Sequence, residues 1–188
     1  AQAVLWLRRR VPVGLAGALM LAAGAAALWP LALVGSAFLA VAALGLLAHW
    51  LRTFGLRTLL ADGASASLIA AQCSLILLLL FGIVHGSGLS SAEGLVPAFV
   101  AGFLMPLVTG ALAQLLPVWR FSGVQTPARL EMRACLVRCG RWRAIVLPVA
   151  AAALAMGQAV VGMLGVALGL GLFLFDLVRA LRVPPPAR

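Results

Sequence analysis

The chain has 188 residues, of which 64% are hydrophobic and 10% are charged, and its mean hydropathy is +1.16. Soluble domains are only about 45–50% apolar, so this composition excludes a soluble globular domain and predicts a polytopic membrane protein. The net charge is +10, but the arginines stand in short clusters between apolar runs, which indicates membrane topology rather than a nucleic-acid partner.

The first half of the chain contains three apolar runs that can each cross a bilayer, since about 20 apolar residues suffice. We predict these spans at about 11–29, 31–50 and 65–84. Trp29-Pro30 separates the first two, because proline removes a backbone donor and tryptophan favours the membrane interface. The arginines at 8–10 and the run after them also resemble a secretory signal peptide, but apolar sequence continues past Trp29 into a second full span.

The fourth span, at about 95–118, carries Pro97 and Pro106 inside it. Prolines inside a membrane helix need neighbouring helices or water to satisfy the carbonyls that they leave without a donor. We therefore expect a kinked helix packed inside the bundle, with Gly102 and Gly110 allowing close approach of its neighbours.

After an Arg-rich loop at 119–143, the apolar sequence is too long for one ordinary helix. We predict two spans, at about 144–157 and 160–178, with a turn near Gly157-Gln158. The first of them is short, so its helix is expected to begin inside the loop, around Arg141-Trp142. The second half of the loop, from Ala128, has helical character.

The arginines fall at both ends of the chain and in the second and fourth loops, whereas the first, third and fifth connections carry none. Because arginine concentrates in cytoplasmic loops, the sequence predicts an all-α polytopic membrane bundle of about six transmembrane helices with both termini cytoplasmic. Residues 1–188 would form one transmembrane domain, with 119–143 as a cytoplasmic loop. The arginines of this loop are expected to face anionic lipid headgroups or partner subunits; they are Arg120, Arg129, Arg133, Arg138, Arg141 and Arg143.

Two small groups of residues are candidates for a metal site. His85 and Glu93 share the loop after the third span, although a polar cap at a helix end also explains His85. Cys135 and Cys139 are four residues apart, which on a helix puts both thiols on one face, where they could hold Cu(I) or Zn or simply pack as small apolar side chains. His49 lies one span away from His85, so the two cannot ligate one haem, and we predict no resident cofactor.

Polar residues inside the spans are the other candidates for function. Gln72 on the third span, and Thr109 and Gln114 beside Pro106 on the fourth, are placed to bind a polar substrate or to hydrogen-bond neighbouring helices. Asp176 is three residues before Arg179 and is expected to pair with it. The chain contains no P-loop, HExxH, GxSxG or CxxC motif.

The stretch GFLMPLVTGALAQLLPVW in the fourth span resembles bacterial membrane proteins related to subunit I of haem-copper oxidases. Their pattern, H-x4-G-F-x6-G-A-x2-Q-L-L-P, is matched here at Gly102, Phe103, Gly110, Ala111, Gln114, Leu115, Leu116 and Pro117. Pro97 stands where that pattern has histidine. The resemblance therefore implies a related helical scaffold without the family's haem and copper chemistry.

These observations predict a non-catalytic integral subunit, or an assembly or accessory factor, of a larger complex in the bacterial inner membrane, of respiratory or metal-handling type. One alternative is a small transporter or permease whose pathway follows the kinked fourth helix. A second alternative is a redox subunit that binds haem or copper with ligands shared with a partner. The expected partners are other membrane subunits and anionic lipids at the cytoplasmic face.

Overall fold

A computed structural model describes residues 11–12, 15–20, 29–84, 94–121 and 126–184. Helices joined by short turns account for this part of the chain, which confirms the predicted all-α class. Residues 11–12 and 15–20 are helical. The helices that follow are α1 (Trp29–Phe54), α2 (Leu56–Ala61), α3 (Gly63–Val84), α4 (Leu95–Phe99), a π-helical segment (Val100–Leu104), α5 (Met105–Arg120), α6 (Pro127–Val137), α7 (Gly140–Ala155) and α8 (Ala159–Leu181).

Four helical stretches in this part of the chain are long and apolar enough to cross a membrane: Pro30–Phe54, Gly63–Ile83, Leu95–Arg120 and Ala159–Leu181. The predicted first span, 11–29, lies largely outside the described residues. The predicted fifth span corresponds to α7, whose 16 residues extend only about 24 Å. The six-span count and the side on which the termini lie remain predictions.

The chain divides into two compact units, one of residues 1–53 and 75–92, the other of residues 54–74 and 93–188. In the first unit, α1 buries small residues one helical turn apart, namely Ala32, Ser36, Ala40 and Ala43. A Cβ at Gly17 would lie 3.1 Å from the carbonyl oxygen of Gly35. The helical residues around Gly17 therefore pack closely on α1.

In the second unit, α6 packs one apolar face into a cluster formed with α3, α5 and the end of α8. This face carries Ala128, Met132 and Leu136, which are spaced four residues apart and are all buried. The helix begins at Pro127, and the Thr126 side chain caps it by accepting the Arg129 backbone N–H at 3.3 Å. The prediction that the second half of the Arg-rich loop is helical is confirmed.

The fourth predicted span departs from regular α-helical geometry between Pro97 and Pro106. The backbone N–H of Met105 bonds to the carbonyl of Val100, five residues back, at the end of the π-helical segment. The wider turn lies directly before Pro106, whose ring would otherwise press on the carbonyl four residues back. Gly102 lies in this segment, where a Cβ would be 2.7 Å from that of Ala151 and 3.2 Å from that of Ser74.

Candidate functional site

Asp62 lies in the link between α2 and α3 and holds three segments together. Its Oδ2 accepts the backbone N–H and the hydroxyl of Ser65, at 3.1 and 2.8 Å, and so caps the first turn of α3. The same oxygen accepts from Gln114 Nε2 at 3.5 Å, and Oδ1 pairs with Arg133 at 3.1 Å. One carboxylate therefore ties α5 and α6 to the start of α3.

A second carboxylate, Asp176 on α8, forms an ion pair with Arg143 on α7 at 3.2 Å, and both side chains are 0% exposed. Asp176 Oδ2 also accepts the backbone N–H of Cys139 at 3.0 Å, while Arg143 donates to the carbonyl of Leu136 at 3.0 Å. The guanidinium lies 5.0 Å from the ring centroid of Phe173. This pair joins α8 and the start of α7 to the end of α6.

The first turns of α3 and α7 meet through their backbones. A Cβ at Gly140 would lie 2.5 Å from the carbonyl oxygen of Gly63, and a Cβ at Gly63 would overlap the carbonyl of Val137. The hydroxyl of Ser67 donates to the carbonyls of Gly63 and Gly140, at 2.9 and 3.3 Å. Glycine at both positions thus allows a contact that fixes the start of α7 against α3.

The described residues of the Arg-rich segment, 119–121 and 126–143, are bonded into the fold through several of their arginines. Besides the two ion pairs, Arg120 donates to the carbonyl of Val183 at 3.3 Å and Arg141 to that of Ala61 at 2.6 Å. Arg120, Arg138 and Arg141 are exposed, as the prediction of a lipid-facing or partner-facing surface requires, and Arg129 and Arg133 are half-buried. For Arg143 that prediction is wrong, because its side chain is fully buried.

The two cysteines of the loop do not lie on one continuous helix. Cys135 is on α6, which ends at Val137, and Cys139 lies in the following turn as the N-cap residue of α7. Both are half-buried free thiols. Burial raises the pKa of the Cys139 thiol, and the negative charge and hydrogen bonding of Asp176 raise it further.

The predicted metal ligands His85 and Glu93 lie outside the described residues. Within the residues that the structure does describe, no group of three or more His, Cys, Asp or Glu side chains is placed to hold a metal ion. His49 is half-buried on α1. The cofactor expectation from the sequence therefore stays a prediction.

The polar residues of the fourth span, Thr109 and Gln114, bond to different partners. Thr109 is buried and its hydroxyl donates to the carbonyl of Met105 in its own helix, at 2.9 Å, whereas Gln114 reaches Asp62. Pro106 is buried at the start of α5, and Gln72 is half-buried on α3. Gln114 thus bonds to a residue outside its own helix, whereas Thr109 bonds within it, and a role for either in binding a substrate stays a prediction.

Sequence reasoning did not predict the contacts of Asp62 or the pairing of Asp176 with Arg143. The prediction that Asp176 pairs with Arg179 is wrong, since the carboxylate pairs with Arg143 instead. Nothing local indicates that pairing, because the two residues are 33 positions apart. The role of Asp62 had a signal, since an aspartate directly before an apolar run is a typical helix N-cap.

Comparisons of the chain with protein-family models, curated proteins and solved structures find no match in any of the three. The fold and hydropathy together define the class of protein: over its described ranges the chain is all-helical, and four of the helices there are long and apolar enough to cross a membrane.

Proposed function

We propose that this chain is a non-catalytic integral membrane subunit, or an assembly or accessory factor, of a larger complex in the bacterial inner membrane, respiratory or metal-handling in type. In this proposal six helices cross the membrane and both termini lie in the cytoplasm. The distant resemblance to haem-copper oxidase subunit I, with Pro97 at the histidine position, suggests a scaffold that works beside cofactor-bearing subunits and has no cofactor of its own.

The observation that carries the proposal is the folding of the Arg-rich segment onto the ends of the helices. Arg133 and Arg143 pair with Asp62 and Asp176, and Arg120 and Arg141 bond to backbone carbonyls. These bonds hold residues 119–121 and 126–143 of the segment in a defined arrangement, and Arg138 is exposed there. A fixed basic surface next to a membrane is suited to binding a partner, because it loses less conformational entropy on binding than a flexible loop would.

The outward face of α8 supplies a second surface for a partner. Val160, Leu164 and Leu168 are four residues apart, and they are 75, 67 and 56% exposed. In a membrane, such an apolar stripe packs against lipid or against a neighbouring transmembrane helix. A subunit of a complex would place at least part of it against another chain.

Site-specific photocrosslinking in native membranes tests the proposal. A photoreactive residue is introduced at Leu130, an exposed position of α6, and separately at Leu164 on α8. A subunit gives a discrete protein adduct at one or both positions, and the adduct migrates with the chain after mild solubilisation. Adducts with lipid alone at both positions, together with purification as a stable monomer, would contradict the proposal.

The transporter alternative is favoured by one observation, the π-helical segment Val100–Leu104 on the helix predicted to form the pathway, since π-helical turns frequently occur at functional sites. A transport pathway would be open to water near the bilayer midplane. In a background without native cysteines, Thr109→Cys would then react with a membrane-impermeant thiol reagent. The subunit proposal expects this cysteine to stay unlabelled, because Thr109 is only 3% exposed.

A further inference from the structure

An open groove of about 340 Å³ lies on the second unit between α2, the first turns of α3 and the start of α7. Its walls are apolar except at one residue, Arg141. The lining residues are Leu60, Ala66, Ile69, Ala70, Arg141, Ala144 and Ile145. Ligand pockets span about 300–1,000 Å³, so this groove is large enough for part of one aliphatic chain.

The cation in the groove wall is the guanidinium of Arg141. It donates one hydrogen bond, to the carbonyl of Ala61 at 2.6 Å, and the side chain is exposed. A guanidinium has five N–H donors in a planar fork, which suits a phosphate with two adjacent oxygens. Arg57, also exposed, is one helical turn before Leu60 and therefore lies on the same face of α2.

The groove keeps the positive charge of Arg141, because the carboxylate of Asp62 is paired with another arginine, Arg133. Asp62 follows the last residue of α2, but its oxygens are taken by Arg133, Ser65 and Gln114. The sequences of α2, α3 and α7 contain no other acidic residue. The groove therefore complements an anionic group at the position of Arg141.

The residues that follow Arg141 indicate the depth at which the groove lies in a membrane. Trp142 is 65% exposed, and exposed tryptophan is typical of the membrane interface. One turn further along α7, Ile145 is 59% exposed and lines the groove. With the membrane placement of the proposed function, the arginine would lie at headgroup level and the apolar walls would extend toward the hydrocarbon.

We propose that this groove binds one anionic phospholipid, with an acyl chain against Ile69, Ala144 and Ile145 and the headgroup phosphate on Arg141. The proposal rests on the membrane placement in the proposed function and names one ligand of its basic surface. A helix of a partner or of a second copy would fill an apolar groove without using the arginine. The exposed guanidinium beside the groove therefore favours a lipid phosphate.

Native mass spectrometry of the full chain in mild detergent, titrated with phosphatidylglycerol and with phosphatidylcholine of the same acyl chains, tests the headgroup. We expect the chain to bind phosphatidylglycerol about tenfold more tightly, equivalent to about 1.4 kcal/mol. Arg141→Gln should abolish this preference, whereas Arg138→Gln, at an exposed arginine outside the groove, should change it less than about twofold. Equal binding of both lipids by the unmodified chain, or equal losses in the two variants, would overturn the proposal.

Two groove-filling variants test the acyl chain. Ala144→Phe and Ile145→Trp should weaken both lipids while leaving the preference for phosphatidylglycerol intact, and Ile145 is exposed enough for its substitution to leave the fold unchanged. Glycerol phosphate should not compete, since it has no acyl chain. Competition by glycerol phosphate, or unchanged binding in both variants, would refute the groove as the site. Crosslinking at Leu130 and Leu164 is independent of these results, so the lipid site can fail while the subunit proposal stands.

Discussion

Removal of Asp176 is the most demanding test of the fold, because it leaves the Arg143 guanidinium charged in the interior. Both side chains are 0% exposed and their atoms are 3.2 Å apart. Loss of one partner of a buried pair costs about 3–5 kcal/mol. The backbone N–H of Cys139 also loses its acceptor, which adds about 1 kcal/mol. We therefore expect Asp176→Ala to lower the free energy of unfolding by about 4–6 kcal/mol, roughly a thousandfold or more in the unfolding equilibrium.

The double variant Arg143→Met/Asp176→Leu is compared with the single variants Arg143→Met and Asp176→Leu in a double-mutant cycle. Asp176 Oδ1 and Arg143 Nε are buried with no hydrogen-bond partner in the described part of the chain, so the native pair is incompletely compensated. Apolar replacement of such a pair is often neutral or stabilising by about 1–4 kcal/mol. The double variant should therefore be far more stable than either single variant.

Equilibrium unfolding in mixed micelles, followed by circular dichroism, measures these changes. The matched control is Arg133→Gln, which breaks an ion pair whose side chains are 43% and 26% exposed and should cost only about 0.2–1 kcal/mol. The reasoning is refuted if Asp176→Ala lowers the free energy of unfolding no more than this control does. It is also refuted if the loss in the double variant equals the sum of the losses in the two single variants.

Three further predictions follow from the same unit. Gly140→Ala should lower the free energy of unfolding by about 1–3 kcal/mol in the same assay, because its Cβ would lie 2.5 Å from the Gly63 carbonyl oxygen. The control is Gly171→Ala, where a Cβ meets nothing within 4 Å, and it should be neutral or stabilising. Equal effects of the two variants would contradict the close contact of Gly140 with Gly63. Asp62→Ala should lower the free energy of unfolding by about 1–3 kcal/mol, because it removes the α3 cap and the bonds to Arg133 and Gln114. Asp62→Asn keeps an oxygen that can cap α3 and should therefore lose less stability. Equal losses in the two variants would argue against capping by Asp62. In a Cys73→Ser/Cys135→Ser background, the pH midpoint for alkylation of Cys139 should be higher in the folded chain than in the unfolded chain, since burial and Asp176 raise its pKa; an equal or lower midpoint would show that the thiolate is not disfavoured there.

The fold could be predicted from the sequence where local signals decide it. Hydropathy indicated the long helices, and Gly157-Gln158 the turn before α8, where the φ of Gly157 is +78°. Helical character was predicted from Ala128, and α6 begins at Pro127. The prolines predicted a departure from the α-helix in the fourth span, and the structure shows its form as a π-helical segment.

The candidate site could not be predicted, because its pairings join residues far apart in the chain. Spacing favoured Arg179 as the partner of Asp176, but α7 places the buried guanidinium of Arg143 against that carboxylate. Similarly, the spacing of Cys135 and Cys139 predicted a shared helical face, and the end of α6 at Val137 lies between them. Tertiary contacts override such local spacing rules wherever a helix ends or a charge is buried.

The proposed function requires the segments that carry Arg57, Arg138 and Arg182 to lie on the cytoplasmic side of the membrane. Cysteine labelling of intact cells and of inverted vesicles tests it, with single cysteines placed at Arg57, Arg138 and Arg182 in a background without native cysteines. The account predicts that a membrane-impermeant reagent labels all three in inverted vesicles and none in intact cells. Labelling of any one of them from the outside of intact cells would contradict it.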